Sequence, residues 1–309
     1  MLYASALDQL PADLGSTAVT FGKFDGIHLG HRAVVDELVS LAGERSLVST
    51  VLTFDRNPLS LLAPERSPER VVSSRQKRRL LAEAGVALTV EIPFDREFSL
   101  LTAEQFVDTV LIGALNAALV LVGPETRFGA GGAGSFDTLA ALGRERGVEV
   151  MSHRLVSAGG SSPVSSTRIR ALLTVGDVAG ATALLGRVPS VRAEVVHGQR
   201  RGRELGYPTA NLSPDLEGFI PADGVYAGYL TWNGRRMPAA ISVGDNPTFV
   251  GVPARQVEAY VIDEDLDLYD EIVEVEFVKR LRGQLKFDAL EPLIAQMALD
   301  TQRARELTA

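Results

Sequence analysis

The chain has 309 residues, 46% of them hydrophobic and 23% charged, and a net charge of −8. That is length for two domains and apolar content for ordinary cores, while the acidic balance argues against a nucleic-acid surface. The absence of cysteine excludes disulfides, thiolate metal sites and cysteine nucleophiles, and fits a reducing, cytoplasmic setting.

Residues 1–10 carry Asp8 and no basic side chain, unlike a secretory leader. Apolar runs at 17–21, 48–54, 87–92, 118–122 and 148–151 read as buried parallel strands. Helical patterns at about 31–43, 74–84, 103–115 and 136–146 alternate with them, which predicts a doubly wound α/β sheet. The longest apolar stretch, 109–123, contains Asn116 and falls short of the ~20 residues of a membrane helix, so no membrane association is expected. Residues 166–186 read as two helices broken at Gly176-Asp177. After Gly186 the pattern changes to short β-like runs at 191–196, 224–229, 239–243, 257–262 and 272–277, typical of a β-barrel or sandwich, and a helix at about 288–306 closes the chain. The expected domains are 1–186 and 187–309.

The densest chemical signal is Gly22-Lys23-Phe24-Asp25-Gly26-Ile27-His28-Leu29-Gly30-His31, at the turn between the first apolar run and its helix. Two imidazoles there can donate hydrogen bonds to one phosphate, and a helix N-terminus adds N–H groups and partial positive charge. The alternative is one histidine capping the helix and one filling a pocket. A second constellation, Ser165-Ser166-Thr167-Arg168, offers hydroxyls and a guanidinium to an anion, or simply a helix cap with a solvated arginine. A third runs from Gly198 through Arg203, Gly206 and Pro208 to Thr209 and Asn211. Its glycine- and arginine-rich part can lie over phosphates, and Thr209 and Asn211 supply neutral oxygens suited to Mg2+. The alternative is an exposed basic loop and a proline turn. Glu258, inside a β-run, is either a general base for a hydroxyl or an outward strand residue. Residues 129–134 satisfy G-x-G-x-x-G but lie past a mid-chain strand, and read as a mobile loop beside the site rather than a dinucleotide fingerprint. His153 and His197 are isolated, so zinc is not expected.

In this order the motifs resemble those of the bacterial bifunctional riboflavin kinase/FAD synthetase family, over essentially the whole chain. Residues 22–31 are similar to its adenylyltransferase signature, Ser165–Arg170 to its phosphate-binding element, Leu184–Arg187 to its interdomain junction, and Gly206–Asn211 to its kinase signature. Asn246–Phe249, Val257-Glu258, Asp267–Tyr269, Leu281-Arg282 and Lys286-Phe287 also fall where the kinase module has them. The resemblance implies a nucleotidyltransferase-like N-terminal domain and a C-terminal barrel. It implies riboflavin phosphorylation to FMN with Glu258 as base, Mg2+ at Thr209 and Asn211, and Gly198, Arg203, Gly206, Pro208 and Arg282 around the ligands. It implies adenylylation of FMN to FAD by a second ATP. There His28 and His31 would stabilise the transferred group, with Gly22, Phe24, Asp25, Gly30, Ser165, Ser166, Thr167 and Arg168 around the nucleotide. The family's Thr-Phe-acid-Pro-His-Pro reads Thr53-Phe54-Asp55-Arg56-Asn57-Pro58 here, and Glu125 and Thr126 also depart from the pattern. These departures motivate an alternative, a kinase whose N-terminal domain is inactive or serves another substrate. A non-catalytic flavin-binding regulator is a further alternative.

Overall fold

The computed structural model describes residues 1–153, 164–197, 206–245 and 255–309. Their contacts divide into two compact units, Met1–Arg70 with Ser74–Val164, and Val71–Ser73 with Ser165–Ala309.

The first unit is a parallel sheet of β1 (Leu2–Ala4), β2 (Thr17–Phe21), β3 (Val48–Phe54), β4 (Leu88–Ile92), β5 (Ala117–Val122) and β6 (Glu149–Ser152), in the order β1-β4-β3-β2-β5-β6. Every residue of β2 and β4 is buried, as expected of strands covered on both faces. On one face, α1 (Leu29–Glu44) and α2 (Ser74–Glu83) bring Val35, Leu38 and Leu81 against Ala18, Val51 and Leu119. On the other, a π-helical segment, Phe106–Ala114, and α3 (Phe136–Arg146) pack Phe106, Leu111 and Leu139 against Val19, Phe21, Leu52 and Val120. The expected strands and helices form with ends shifted by a residue or two. The edge strand β1 was not expected, because three residues carry no readable period.

The glycine-rich stretch is fastened down rather than loose. Phe128 and Gly134 exchange backbone hydrogen bonds, and the Ala130 N–H donates to the Leu101 carbonyl at 2.7 Å. A Cβ on Gly129, whose φ is +73°, would lie 2.7 Å from the backbone nitrogen of Ala103. Glycine is required there for close packing, not for looseness.

The second unit is a closed antiparallel barrel of β7 (Ser190–Val196), β8 (Thr209–Leu212), β9 (Gly224–Trp232), β10 (Arg235–Asp245), β11 (Arg255–Val261) and β12 (Ile272–Arg282), in the order β10-β11-β8-β7-β12-β9. Val191, Ala193, Val195, Ile241, Val257 and Val275 fill its interior at alternate positions. Outside it, α6 (Leu290–Thr308) packs Ala304 with Ala227, Tyr260 and Ile262. The helices α4 (Ser166–Thr174) and α5 (Val178–Leu185) also group with the barrel by contact. The Ala222 N–H donates to the Leu173 carbonyl at 2.9 Å, and the Arg280 guanidinium to the Val175 carbonyl at 3.3 Å. The sequence suggested a division near 186; by contact, α4 and α5 group with the barrel. β8, not among the β-like runs read from the sequence, is a short strand between β11 and β7.

Candidate active sites

In the sheet unit the strand order reverses at β2, and a ligand crevice belongs at the carboxyl ends of the strands there. The chain leaves β2 through a turn with positive φ at Phe24 (45°), Gly26 (83°) and Ile27 (40°). For the β-branched Ile27 that conformation is strained, and strain of this kind costs roughly 1–3 kcal/mol unless the surroundings over-determine it. His28 then caps α1, its Nδ1 accepting from the His31 backbone N–H at 3.3 Å. Accepting at Nδ1 leaves the proton of a neutral His28 on Nε2, which makes Nε2 the donor. The His28 and His31 rings stack at 3.8 Å, and Phe24 tilts onto His31 at 5.1 Å. A Cβ on Gly30 would come within 3.3 Å of the His28 ring, so glycine gives that ring its room. Burial, and secondarily the neighbouring His28, hold the His31 imidazole well below its usual pKa. Its Nδ1 is buried and has no hydrogen-bond partner among the described residues. Capping and pocket filling, the bland reading of this pair, are both present and together bring the two rings into contact.

Beneath this turn lies a buried polar group that sequence reasoning missed. Lys77 of α2 donates to the Thr53 hydroxyl (3.2 Å) and the Phe54 carbonyl (2.9 Å), and pairs with Glu91 (2.9 Å). Thr53 in turn donates to the Lys23 carbonyl at 3.2 Å, and Tyr3 of β1 donates to Glu91 at 3.1 Å. The available signal was spacing: Lys77 stands one helical turn before the fully buried Leu81, on the core face.

In the barrel, register brings separated residues together. Glu258 pairs directly with Asn211, and Tyr260 with Thr209. These four share the outward face of β8 and β11, since Ala210, Leu212, Val257 and Ala259 point inward and are buried. Burial pushes the Glu258 carboxyl above its usual pKa, and a hydrogen bond from Thr209 partly offsets this. The Asn211 amide nitrogen donates to the Thr209 carbonyl at 3.2 Å, which leaves the amide oxygen as an acceptor. Beside them is a cavity of about 260 Å³ lined by Pro208, Thr209, Asn211, Asp265, Asp267 and Tyr269 among others. His197, unassigned from sequence, packs its ring on Tyr269 at 4.0 Å. Thr209 and Asn211 offer oxygen ligands of the hard kind that Mg2+ takes, so the residues present fit that ion.

The remaining candidates sit as follows. Ser165 caps α4, accepting from the Arg168 N–H at 3.3 Å, and Thr167 and Arg168 are exposed on its first turn. Gly206, with φ +80°, is exposed just before Pro208. The Arg282 guanidinium is engaged by Asp300 of α6, with contacts of 2.7–3.2 Å, and by the Gly283 carbonyl. Gly198 and Arg203, and the 246–249 stretch, lie outside the described residues. His153, also taken as isolated, is buried and bonds Glu37 of α1 through Nδ1.

Comparison with known proteins gives two family matches, FAD synthetase over residues 10–168 and riboflavin kinase over 185–308. A protein of Escherichia coli K12 named bifunctional riboflavin kinase/FMN adenylyltransferase is 36% identical, over 97% of this chain and 95% of its own length. Proteins of the same name from Listeria monocytogenes and Pseudomonas fluorescens are 34% and 33% identical, covering 93% and 100% of this chain and 91% and 98% of their own lengths. A Streptococcus pneumoniae crystal structure described as a macrolide-efflux protein superposes with a TM-score of 0.87 at 31% identity, covering 98% of both chains. Among the described residues here, no helix is long and apolar enough to cross a membrane.

Proposed function

The chain belongs to the bifunctional FAD synthetase/riboflavin kinase family, and we propose on that footing that it phosphorylates riboflavin to FMN and adenylylates FMN to FAD, each with ATP. We assign adenylyl transfer to residues 1–186 and phosphoryl transfer to 187–309, in a cytoplasmic enzyme. The observation that carries the reading is the register that sets Glu258 opposite Asn211 and beside Thr209.

In the kinase step Glu258 takes the proton of the riboflavin 5′-hydroxyl as that oxygen attacks the γ-phosphorus of ATP, and ADP leaves. Burial strengthens Glu258 as a base by raising its pKa. Thr209 and Asn211 hold Mg2+ through their side-chain oxygens, and that ion supplies neutralising charge to the phosphates when bound. Pro208 lines the adjoining cavity, and Gly198, Arg203, Gly206 and Arg282 complete the proposed ligand contacts.

In the adenylyl step a phosphate oxygen of FMN attacks the α-phosphorus of ATP, and pyrophosphate leaves. His28 Nε2–H and the His31 imidazole donate to the charge that develops on the transferred group. Gly22, Phe24, Asp25 and Gly30 form the turn that sets them, and Ser165, Ser166, Thr167 and Arg168 are the proposed phosphate anchor. His31 acts as a neutral donor, because its depressed pKa keeps it uncharged near neutral pH.

The test is a chromatographic time course of the purified chain with riboflavin, ATP and Mg2+. FMN followed by FAD is the expected result. FMN without FAD would limit the chain to the kinase step, and neither product would refute the reading.

A further inference from the structure

Lys77 is a lysine held almost entirely out of water, with 8% of its side chain exposed, and its partner Glu91 has 4% exposed. Burying a charged pair carries a desolvation cost that mutual attraction and added hydrogen bonds must offset. The ammonium donates to the Phe54 carbonyl and the Thr53 hydroxyl and lies 2.9 Å from a Glu91 carboxylate oxygen.

What the ammonium does is orient Thr53. A hydroxyl has one hydrogen. Because Thr53 Oγ1 accepts from Lys77, its own hydrogen is directed to the Lys23 carbonyl at 3.2 Å. Lys23 immediately precedes Phe24, the first of the positive-φ residues in the turn that delivers His28. A turn in this conformation must be held from outside, and the Lys23 carbonyl is one point at which the floor of the site takes hold of it. Burial lowers the Lys77 pKa, while the Glu91 carboxylate and, more weakly, Asp25 of the turn itself favour its charged form. Tyr3, on the short edge strand β1, satisfies the second oxygen of Glu91.

We propose that Lys77, through Thr53, is a positioning residue for adenylyl transfer: it fixes the Lys23 carbonyl, and with it the turn that aims His28 and His31. The inference rests on the adenylyltransferase reading above. It concerns neither substrate binding nor the barrel.

The test uses the full chain with FMN, ATP and Mg2+ for FAD formation, and with riboflavin, ATP and Mg2+ for total flavin phosphorylation. Thr53→Val removes the relay hydroxyl and leaves the Lys77–Glu91 pair in place; Thr53→Ser restores a hydroxyl. Thr53→Val and Lys77→Met are expected to lower kcat for FAD formation about 10- to 100-fold, the effect of a small misplacement of reacting groups. The KM for FMN should change less than threefold, kinase turnover should stay at the unsubstituted level, and Thr53→Ser should recover most of the loss. Lys77→Met leaves Glu91 unpaired, so if that variant does not fold, Thr53→Val decides. FAD formation by Thr53→Val at the unsubstituted rate would overturn the positioning role. So would a loss that Thr53→Ser does not recover. If the unsubstituted chain itself made no FAD, the adenylyltransferase reading would fall first and the inference with it.

Discussion

The two units build their sites by opposite means. In the sheet, the chemistry is contiguous in sequence: the seven residues Gly22–His28 leave a strand, turn through three positive-φ positions and cap a helix with a histidine. In the barrel, Thr209 and Glu258 are far apart in the chain, and only strand pairing joins them. A site made of a turn depends on what anchors that turn. A site made of register depends on the barrel closing correctly, because a slip of one residue would send Thr209, Asn211 and Glu258 to the other face. The difference teaches where each is vulnerable: the first to loss of a single buried hydroxyl, the second to anything that keeps strands apart.

The largest effect should come from forcing strands apart. A Cβ on Gly228 would lie 1.8 Å from the Glu276 carbonyl oxygen, where β9 and β12 meet. Gly228→Ala should destabilise the barrel by about 3 kcal/mol, the upper end of overpacking penalties, and abolish kinase activity at elevated temperature first. Thermal unfolding followed together with FMN formation checks this, and an unshifted transition would contradict the close approach.

His28→Ala should cost FAD formation about 100- to 1000-fold, the scale of one preorganised donor in such sites, and leave FMN formation unchanged. Parallel assays of both products measure it; equal loss in both would mean that the sites are not separable. Asn211→Ala is a milder break in the barrel. It should raise the Mg2+ concentration needed for half-maximal FMN formation by about 10-fold, with the metal dependence of FAD formation unchanged.

The smallest expected effect sharpens the electrostatic contrast. Glu258 must be deprotonated to act, and burial raises its pKa. FMN formation should therefore decline, as pH falls, at a higher pH than an ordinary carboxylate would impose. His31 is shifted downward and already neutral at its usual pKa. FAD formation should show no titration step near pH 6.5 from that residue. Rate profiles from pH 5 to 8 would separate the two, and a step near 6.5 that disappears in His31→Gln would refute the neutral-donor role.

Much of this was legible in the sequence where the signal is local. Continuous apolar runs mark the central strands, since both of their faces are covered, and the turn around His28 announces itself by composition. The alternation at Thr209, Asn211 and Glu258 was present, but the pairing that gives it meaning is nonlocal. β8 escaped because four residues after a proline resemble a turn. The Lys77–Glu91–Thr53 floor escaped for a different reason. A lysine in a helix as charged as Ser74–Glu83 reads as solvated, and only its position one turn from Leu81 places it inside. Tyr3 belongs to a strand too short to carry a period.

The most direct test of two independent chemistries is one variant in two assays. Glu258→Gln is supplied with riboflavin, ATP and Mg2+ in one, and with FMN, ATP and Mg2+ in the other. The account requires FMN formation to fall by about 100-fold or more, as for loss of a general base, while FAD forms from supplied FMN at the unsubstituted rate. Loss of both reactions, or retention of both, would contradict it.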